Sequence, residues 1–245
     1  MDSKGDSASS GTTVLQDLAW GAILTTGLVT VSVWLWSLPI SFLLVAGGLY
    51  ALVCWSVLRY WPINVDFGPA NRATLLRASL VITLIASAPF ADRFGQGDLW
   101  LYGFLALVSL ILDGVDGAIA RATKSQSQFG ARFDMELDAA FLLGLCVALV
   151  AMDKTGLWVL TLGLMRYGFV AAGCQFSWLT RPLPDSFRRK TVCVWQIVTL
   201  MVAILPPVPP ALGGLTLMTA LALLAWSFWV DICWLYQRRN AHETA

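Results

Sequence analysis

Histidine is nearly absent from this chain. The single copy, His242, lies in the polar C-terminal stretch, so acid–base chemistry or metal ligation built on imidazole has no residue to carry it. Charge is scarce too. Asp, Glu, Lys and Arg make up 13% of the residues, where a soluble domain carries about 25%. The net charge of +1 leaves no basic footprint for nucleic acid. The five cysteines (Cys54, Cys146, Cys174, Cys193 and Cys233) stand singly, in odd number and without a C-x-x-C pair. They read as small buried hydrophobes, which excludes a disulfide framework and a thiolate metal site. There is no internal repeat and no low-complexity domain. The opening "MDSKGDSASSGTT" lacks the basic start of a cleaved signal peptide, and residues 1–13 are expected to be a short disordered polar tail.

What the chain has in quantity is hydrocarbon. Hydrophobic residues form 58% of it, with twelve tryptophans, and they come in blocks rather than in an amphipathic rhythm. Crossing a bilayer takes about twenty mainly apolar residues. Eight stretches qualify: 14–37, 40–58, 73–91, 98–121, 131–152, 156–179, 191–206 and 211–236. The breaks between them have physical causes. Pro39 interrupts the first pair, "RYWPINVDFGPANR" holds two prolines, "DRFGQGD" and "DKTG" are polar turns, and "PPVPP" cannot continue a helix. In lipid an open sheet would strand its backbone polar groups, so every span is expected to be helical. The fold expected is an all-α integral membrane protein with about eight transmembrane helices.

Basic residues orient that topology. Lys4, Arg59, Arg72, Arg77, Arg121, Lys124, Arg132, Arg181, Arg188, Arg189, Lys190, Arg238 and Arg239 fall on one side or at the span ends leading to it. Only Arg93 and Lys154 fall on the other, and Arg166 lies inside a span. Such asymmetry is expected to place both termini in the cytoplasm. The localisation expected is multi-pass, in a bacterial-type cytoplasmic (inner) membrane.

Against this background "LDGVDGAIARATKSQSQFGARFDMELDAA" (112–140) is anomalous. Ionisable groups at membrane depth are costly and mark functional sites. Asp113 and Asp116 are three residues apart and share a helix face, continued by Gly117 and Ala120, with Arg121 a turn beyond Gly117. After a polar reversal, Asp134 and Asp138 stand four apart on the next helix, again on one face. An antiparallel pair of helices brings the four carboxylates together at the cytoplasmic surface. Hard divalent cations such as Mg²⁺ or Mn²⁺ would relieve their repulsion. Two such ions suit the clamping of a diphosphate during displacement at phosphorus.

These residues resemble the signature of the class I CDP-alcohol phosphatidyltransferases, D-x2-D-G-x2-A-R-x8-G-x3-D-x3-D. It reads here as Asp113, Asp116, Gly117, Ala120, Arg121, Gly130, Asp134 and Asp138, with every spacing met. More weakly, "NRATLLRASL" (71–80) is similar to the N-T-L-x-R opening of the family's first core helix, and "RRKTVCVWQ" (188–196) to a K-T…Q element of bacterial phosphatidylglycerophosphate synthases. The resemblance implies a six-helix core within 61–237, preceded by two extra N-terminal spans over 14–60 and followed by a cytoplasmic tail, 238–245. It implies transfer of a phosphatidyl group from CDP-diacylglycerol to an alcohol, with release of CMP. Asp113, Asp116 and Asp134 would ligate two divalent cations. Asp138 would be the general base on the acceptor hydroxyl and would also touch a metal. Gly117, Ala120, Arg121, Gly130, Thr74 and Arg77 would form the CDP-lipid side of the site.

The acceptor is read from cations. Arg166, in "GLMRYGFV", is an intramembrane arginine, and Arg132, Arg188, Arg189 and Lys190 lie near span ends. Together they suit a phosphorylated acceptor, with glycerol 3-phosphate the simplest. Positive-inside topology accounts equally well for Arg188, Arg189 and Lys190. Two features leave inositol phosphate, serine or another alcohol open: Ala139 and Ala140 follow Asp138 where relatives often carry a basic residue, and Glu136 adds a carboxylate. UbiA-type prenyltransferases also use aspartates with diphosphates, but on well-separated helices, and a non-catalytic membrane protein would leave the matched letters unexplained. Expected partners are CDP-diacylglycerol, a small alcohol, the surrounding membrane lipids and a second copy of the chain, with no nucleic acid.

Overall fold

The computed structural model describes residues 7–61, 67–123, 127–181, 183–184 and 186–238, with side chains from residue 14 onward except at 119–121. The side chains of Ala120 and Arg121, and residues 1–6 and 239–245 of the expected polar tails, lie outside the described residues; residues 7–13, expected to be disordered, are helical. Among the described residues the secondary structure is entirely helical. Eight α-helices run in chain order: α1 (Ser7–Trp36), α2 (Ile40–Tyr60), α3 (Gly68–Ser87), α4 (Gln96–Ala122), α5 (Gln128–Ala151), α6 (Leu160–Gln175), α7 (Phe187–Ile204) and α8 (Pro210–Gln237). Short 3-10 turns follow α3 (Ala88–Arg93), precede α6 (Leu157–Val159) and follow it (Ser177–Thr180).

Each expected span coincides with one of these helices, but α1 starts at Ser7, ahead of residue 14. Among the described residues, six stretches are long and apolar enough to cross a membrane: Val14–Trp36, Ile40–Tyr60, Gly68–Arg93, Gln96–Ala118, Leu157–Gln175 and Pro210–Gln237. Helices α5 and α7 are not among them. The first three turns of α5 hold Arg132, Asp134, Glu136 and Asp138, and α7 opens with Arg188, Arg189 and Lys190 in a helix of 18 residues. These charges shorten the apolar run available for spanning.

Two compact units divide inside α5, Met1–Phe141 and Leu142–Ala245. In the first unit α3 is the central helix: 72% of its apolar window is buried, against 28% for α1 and 17% for α2. A helix enclosed on all sides in lipid needs small side chains and satisfied hydroxyls. Helix α3 supplies both. Ala78 and Ala86 let neighbours approach, while Thr83 donates to the Ser79 carbonyl at 2.9 Å and Ser87 to that of Leu84 at 3.0 Å. Tyr102 of α4 donates its phenol to the Leu84 carbonyl at 3.1 Å. Helices α1 and α2 meet where Tyr50 donates to the Leu18 carbonyl at 2.5 Å, and a Cβ added at Gly21 would lie 2.6 Å from that phenol oxygen. Arg72 of α3 pairs with Asp17 of α1 at 2.9 Å.

The second unit holds the rest of α5 with α6, α7 and α8. Gly163 lets α6 reach the backbone of Leu143, since a Cβ there would lie 2.8 Å from the Leu143 Cα. Lys154 donates from Nζ to the carbonyls of Ala203, Ile204 and Leu205 at 3.1, 2.9 and 2.7 Å. These are acceptors that α7 leaves open at its C-terminus, where a cation is favoured.

Candidate active site

Helix α3 enters the site through a glycine and a proline. Gly68 has φ of 78°, a conformation that side chains resist, and Pro69 presets the first turn. From there Ala70, Asn71, Thr74 and Arg77 recur at helical spacing along one buried stripe. Helix α5 begins at a serine cap: Ser127 Oγ accepts from the Gly130 amide at 2.9 Å. Phe129 then packs edge-on against Trp61, which packs in the same manner on Phe67, with centroids 5.6 and 5.4 Å apart. Each aromatic pair contributes about 0.5–1.5 kcal/mol beyond its buried area. They seat the first turn of α5 against the start of α3.

Gly130 lies at that seat. A Cβ added there would stand 2.7 Å from Asn71 Oδ1 and 3.0 Å from Ser127 Oγ. Asn71 cannot easily give way, because its Nδ2 donates to the Phe67 carbonyl at 2.7 Å and the residue is buried. The glycine of the signature therefore has a packing reason in this chain: it lets α5 close on Asn71, so that Asp134 and Asp138, one and two turns on, come level with Asp113 and Asp116 of α4. Asn71 sits within the "NRATLLRASL" stretch but was not among the residues singled out. Its position one turn before Thr74 was the signal available.

The four carboxylates converge on one guanidinium. Arg77 is 1% exposed. Its Nη1 is hydrogen-bonded to Asp113 Oδ1; its Nη2 lies 2.6 Å from Asp134 Oδ1 and 3.3 Å from Asp138 Oδ1; its Nε lies 3.8 Å from Asp116 Oδ2. Thr74 donates to Asp116 Oδ2 at 3.3 Å and to the Ala70 carbonyl at 3.1 Å. Asp116 is the deepest carboxylate, with 5% of its side chain exposed, whereas Asp113, Asp134 and Asp138 keep 32, 38 and 30%. The cluster is anchored on one side and open on the other.

The four carboxylates bring together more negative charge than the Arg77 guanidinium carries. Asp113, Asp116 and Asp134 each offer an oxygen, and these oxygens all lie within 4.8 Å of one another. All the donors are hard carboxylate oxygens. Donor type and convergence fit a hard divalent cation.

Among the other predicted residues, Gly117 is half-buried on α4 beside Asp116, and Arg132 is exposed on the second turn of α5. Ala120 and Arg121 continue α4. In the second unit Arg166 is half-buried on α6 and Lys190 is exposed on α7. Arg188 and Arg189 face Asp231 of α8, a partner the sequence reading did not name. Arg188 Nη2 lies 2.5 Å from Asp231 Oδ1 and Nη1 donates to the Ser227 carbonyl at 2.7 Å, while Arg189 Nη1 is 3.7 Å from the same carboxylate.

Comparison with known proteins supplies one match. The family model described as CDP-alcohol phosphatidyltransferase covers residues 67–230, from the start of α3 into α8. No curated protein and no solved structure matches the chain.

Proposed function

The chain belongs to the CDP-alcohol phosphatidyltransferase family, a family of phosphotransferases, and from that premise we propose that it moves a phosphatidyl group from CDP-diacylglycerol to a small alcohol in a phospholipid-synthesis step. The observation that carries this reading is the convergence of Asp113, Asp116, Asp134 and Asp138 around Arg77 at the junction of α3, α4 and α5. A site for diphosphate transfer needs concentrated negative charge to recruit cations and a carboxylate left to take a proton. The cluster offers both.

In this reading Asp113, Asp116 and Asp134, with help from Asp138, hold two divalent cations, Mg²⁺ or Mn²⁺. Bound there, such ions supply charge neutralisation on the diphosphate and make CMP a better leaving group. Thr74 orients the Asp116 carboxylate through its hydroxyl. Gly117, Ala120, Arg121, Gly130, Thr74 and Arg77 form the CDP-lipid side, where small residues admit the nucleotide and Arg121 faces its phosphates, while Arg77 acts from behind the carboxylates.

Asp138, one turn beyond Asp134, is the general base. It accepts the proton of the acceptor hydroxyl as that oxygen bonds to the β-phosphorus of the CDP-lipid. The bond from this phosphorus to the bridging oxygen breaks, and CMP leaves with that oxygen and its electron pair. A carboxylate within reach of the hydroxyl does this without histidine. Arg132, Arg166, Arg188, Arg189 and Lys190 are the acceptor-binding candidates, and glycerol 3-phosphate is the acceptor proposed. The catalytic face is cytoplasmic in this reading, in a chain with both termini inside that works as a homodimer.

The test is incubation of the purified protein with CDP-diacylglycerol, Mn²⁺ and a panel of alcohols, followed by mass spectrometry of the lipids. Phosphatidylglycerophosphate is the product expected. A product made only from inositol phosphate, serine or another alcohol would transfer the same mechanism to that acceptor.

A further inference from the structure

We propose that Arg77 is the resident counter-cation of the aspartate cluster: a positioning residue that holds the four carboxylates together before any metal arrives and sets, by competition, how tightly the metal binds. The inference rests on the reading of the carboxylates as metal ligands and goes beyond it. Arg77 comes from α3, whereas its partners come from α4 and α5, so the guanidinium ties three helices through their charges. Its fork bridges Asp113 to Asp134 and Asp138, and two of these belong to the trio whose oxygens lie within 4.8 Å of one another. A guanidinium so placed draws on the same oxygen lone pairs that a divalent cation needs.

The group cannot step aside by titration. Arginine keeps its proton at any pH at which the protein works. Nor can it retire to water: the side chain is 1% exposed, and its Nε lies 3.8 Å from the buried Asp116 carboxylate. Every cation that binds does so against a fixed positive charge a few ångströms away. Removing that charge has two opposite effects. Without a cation, the four carboxylates lose the guanidinium that bridges them and repel one another more strongly, and the packing of α3, α4 and α5 loosens. With a divalent cation supplied, the site binds it more tightly, because the competing charge is gone and the lone pairs are free. A merely structural arginine would give the first effect without the second.

Mn²⁺ binding to the full-length chain in detergent micelles, with no substrate present, separates these cases. Free Mn²⁺ is read by electron paramagnetic resonance and stability by thermal melting. Arg77→Gln is expected to bind Mn²⁺ on the order of tenfold more tightly than wild type or better, given the size of charge–charge terms at partly buried sites. It should also melt lower than wild type without cation and recover when Mn²⁺ is added. Arg77→Lys keeps a charge but loses the fork that bridges Asp113 to Asp134 and Asp138, so its Mn²⁺ affinity is expected to fall between those of wild type and Arg77→Gln. Unchanged or weaker Mn²⁺ binding by Arg77→Gln, beside a wild type that binds, overturns the inference and leaves the metal reading intact. A wild type that binds no Mn²⁺ overturns the metal reading and the inference with it. If Arg77→Gln folds only in the presence of Mn²⁺, the inference is supported, since the ion has taken over the guanidinium's charge. If both variants stay unfolded even with Mn²⁺, the arginine is structural and the inference fails.

Discussion

Asp116→Asn perturbs the site at its most buried carboxylate. The asparagine keeps the shape of the side chain and leaves an oxygen for the Thr74 hydroxyl now 3.3 Å away. Arg77 retains Asp113, Asp134 and Asp138. One neutral hydrogen bond replaces a weak charged one, so stability should change by about 1 kcal/mol or less. The effect on the metal is larger. Asp116 offers one of the three converging oxygens, and losing a contact to a charged group is worth about 1.5–3 kcal/mol, on the order of ten- to a hundredfold in cation affinity. Turnover should fall by about two to three orders of magnitude, the usual cost of removing one electrostatic contact aimed at the reacting group. The assay is CMP release from CDP-diacylglycerol across a Mn²⁺ titration, beside a thermal melt of the same preparation. Turnover within threefold of wild type at the same half-saturating Mn²⁺ would remove Asp116 from the metal site. A collapse of the melt would show that the carboxylate acts on the fold instead.

Other substitutions divide the remaining roles. Asp138→Asn should lower kcat even at saturating acceptor, because the lost interaction belongs to the transition state; a change confined to KM would deny it the role of base. Arg166→Ala should raise the KM for a phosphorylated acceptor on the order of tenfold or more while leaving that for CDP-diacylglycerol nearly unchanged; an unaltered acceptor KM would favour an uncharged alcohol. Gly130→Ala puts a Cβ 2.7 Å from Asn71 Oδ1 and should cost about 1–3 kcal/mol by thermal melting; Asn71→Ser in the same chain should recover part of the loss. Single cysteines at positions 124 and 97 report topology. An impermeant reagent added outside intact cells should label 97 and spare 124, and the reverse pattern would invert the chain in the membrane.

Much of this architecture was legible in the sequence because lipid leaves few choices. Apolar blocks broken at Pro39, at "DKTG" and at "PPVPP" have to be helices, and each is found where those breaks place it. The convergence of the aspartates was legible for the same reason: spacings of three and four on helices joined by a short polar reversal leave little freedom. What could not be read was who answers those charges. Arg77 lies 36 residues from Asp113 and 57 from Asp134, and Arg188 lies 43 from Asp231, separations with no local periodicity to reveal them. The short motif puts Arg77 with the CDP-lipid residues; only its geometry puts it among the carboxylates. The fit of Gly130 to Asn71 was hidden likewise, because a glycine records that something comes close without naming what. The shorter apolar runs of α5 and α7 have the opposite lesson. The residues that make α5 a candidate catalytic helix are those that make it a poor hydrocarbon span.

The most direct test of the account is CMP release from CDP-diacylglycerol by the purified chain, measured with glycerol 3-phosphate present, before and after complete removal of divalent cations by EDTA. The account predicts release that is abolished by EDTA, restored by Mg²⁺ or Mn²⁺, and lost in Asp116→Asn and Asp138→Asn proteins that still fold. Undiminished CMP release in excess EDTA would contradict it.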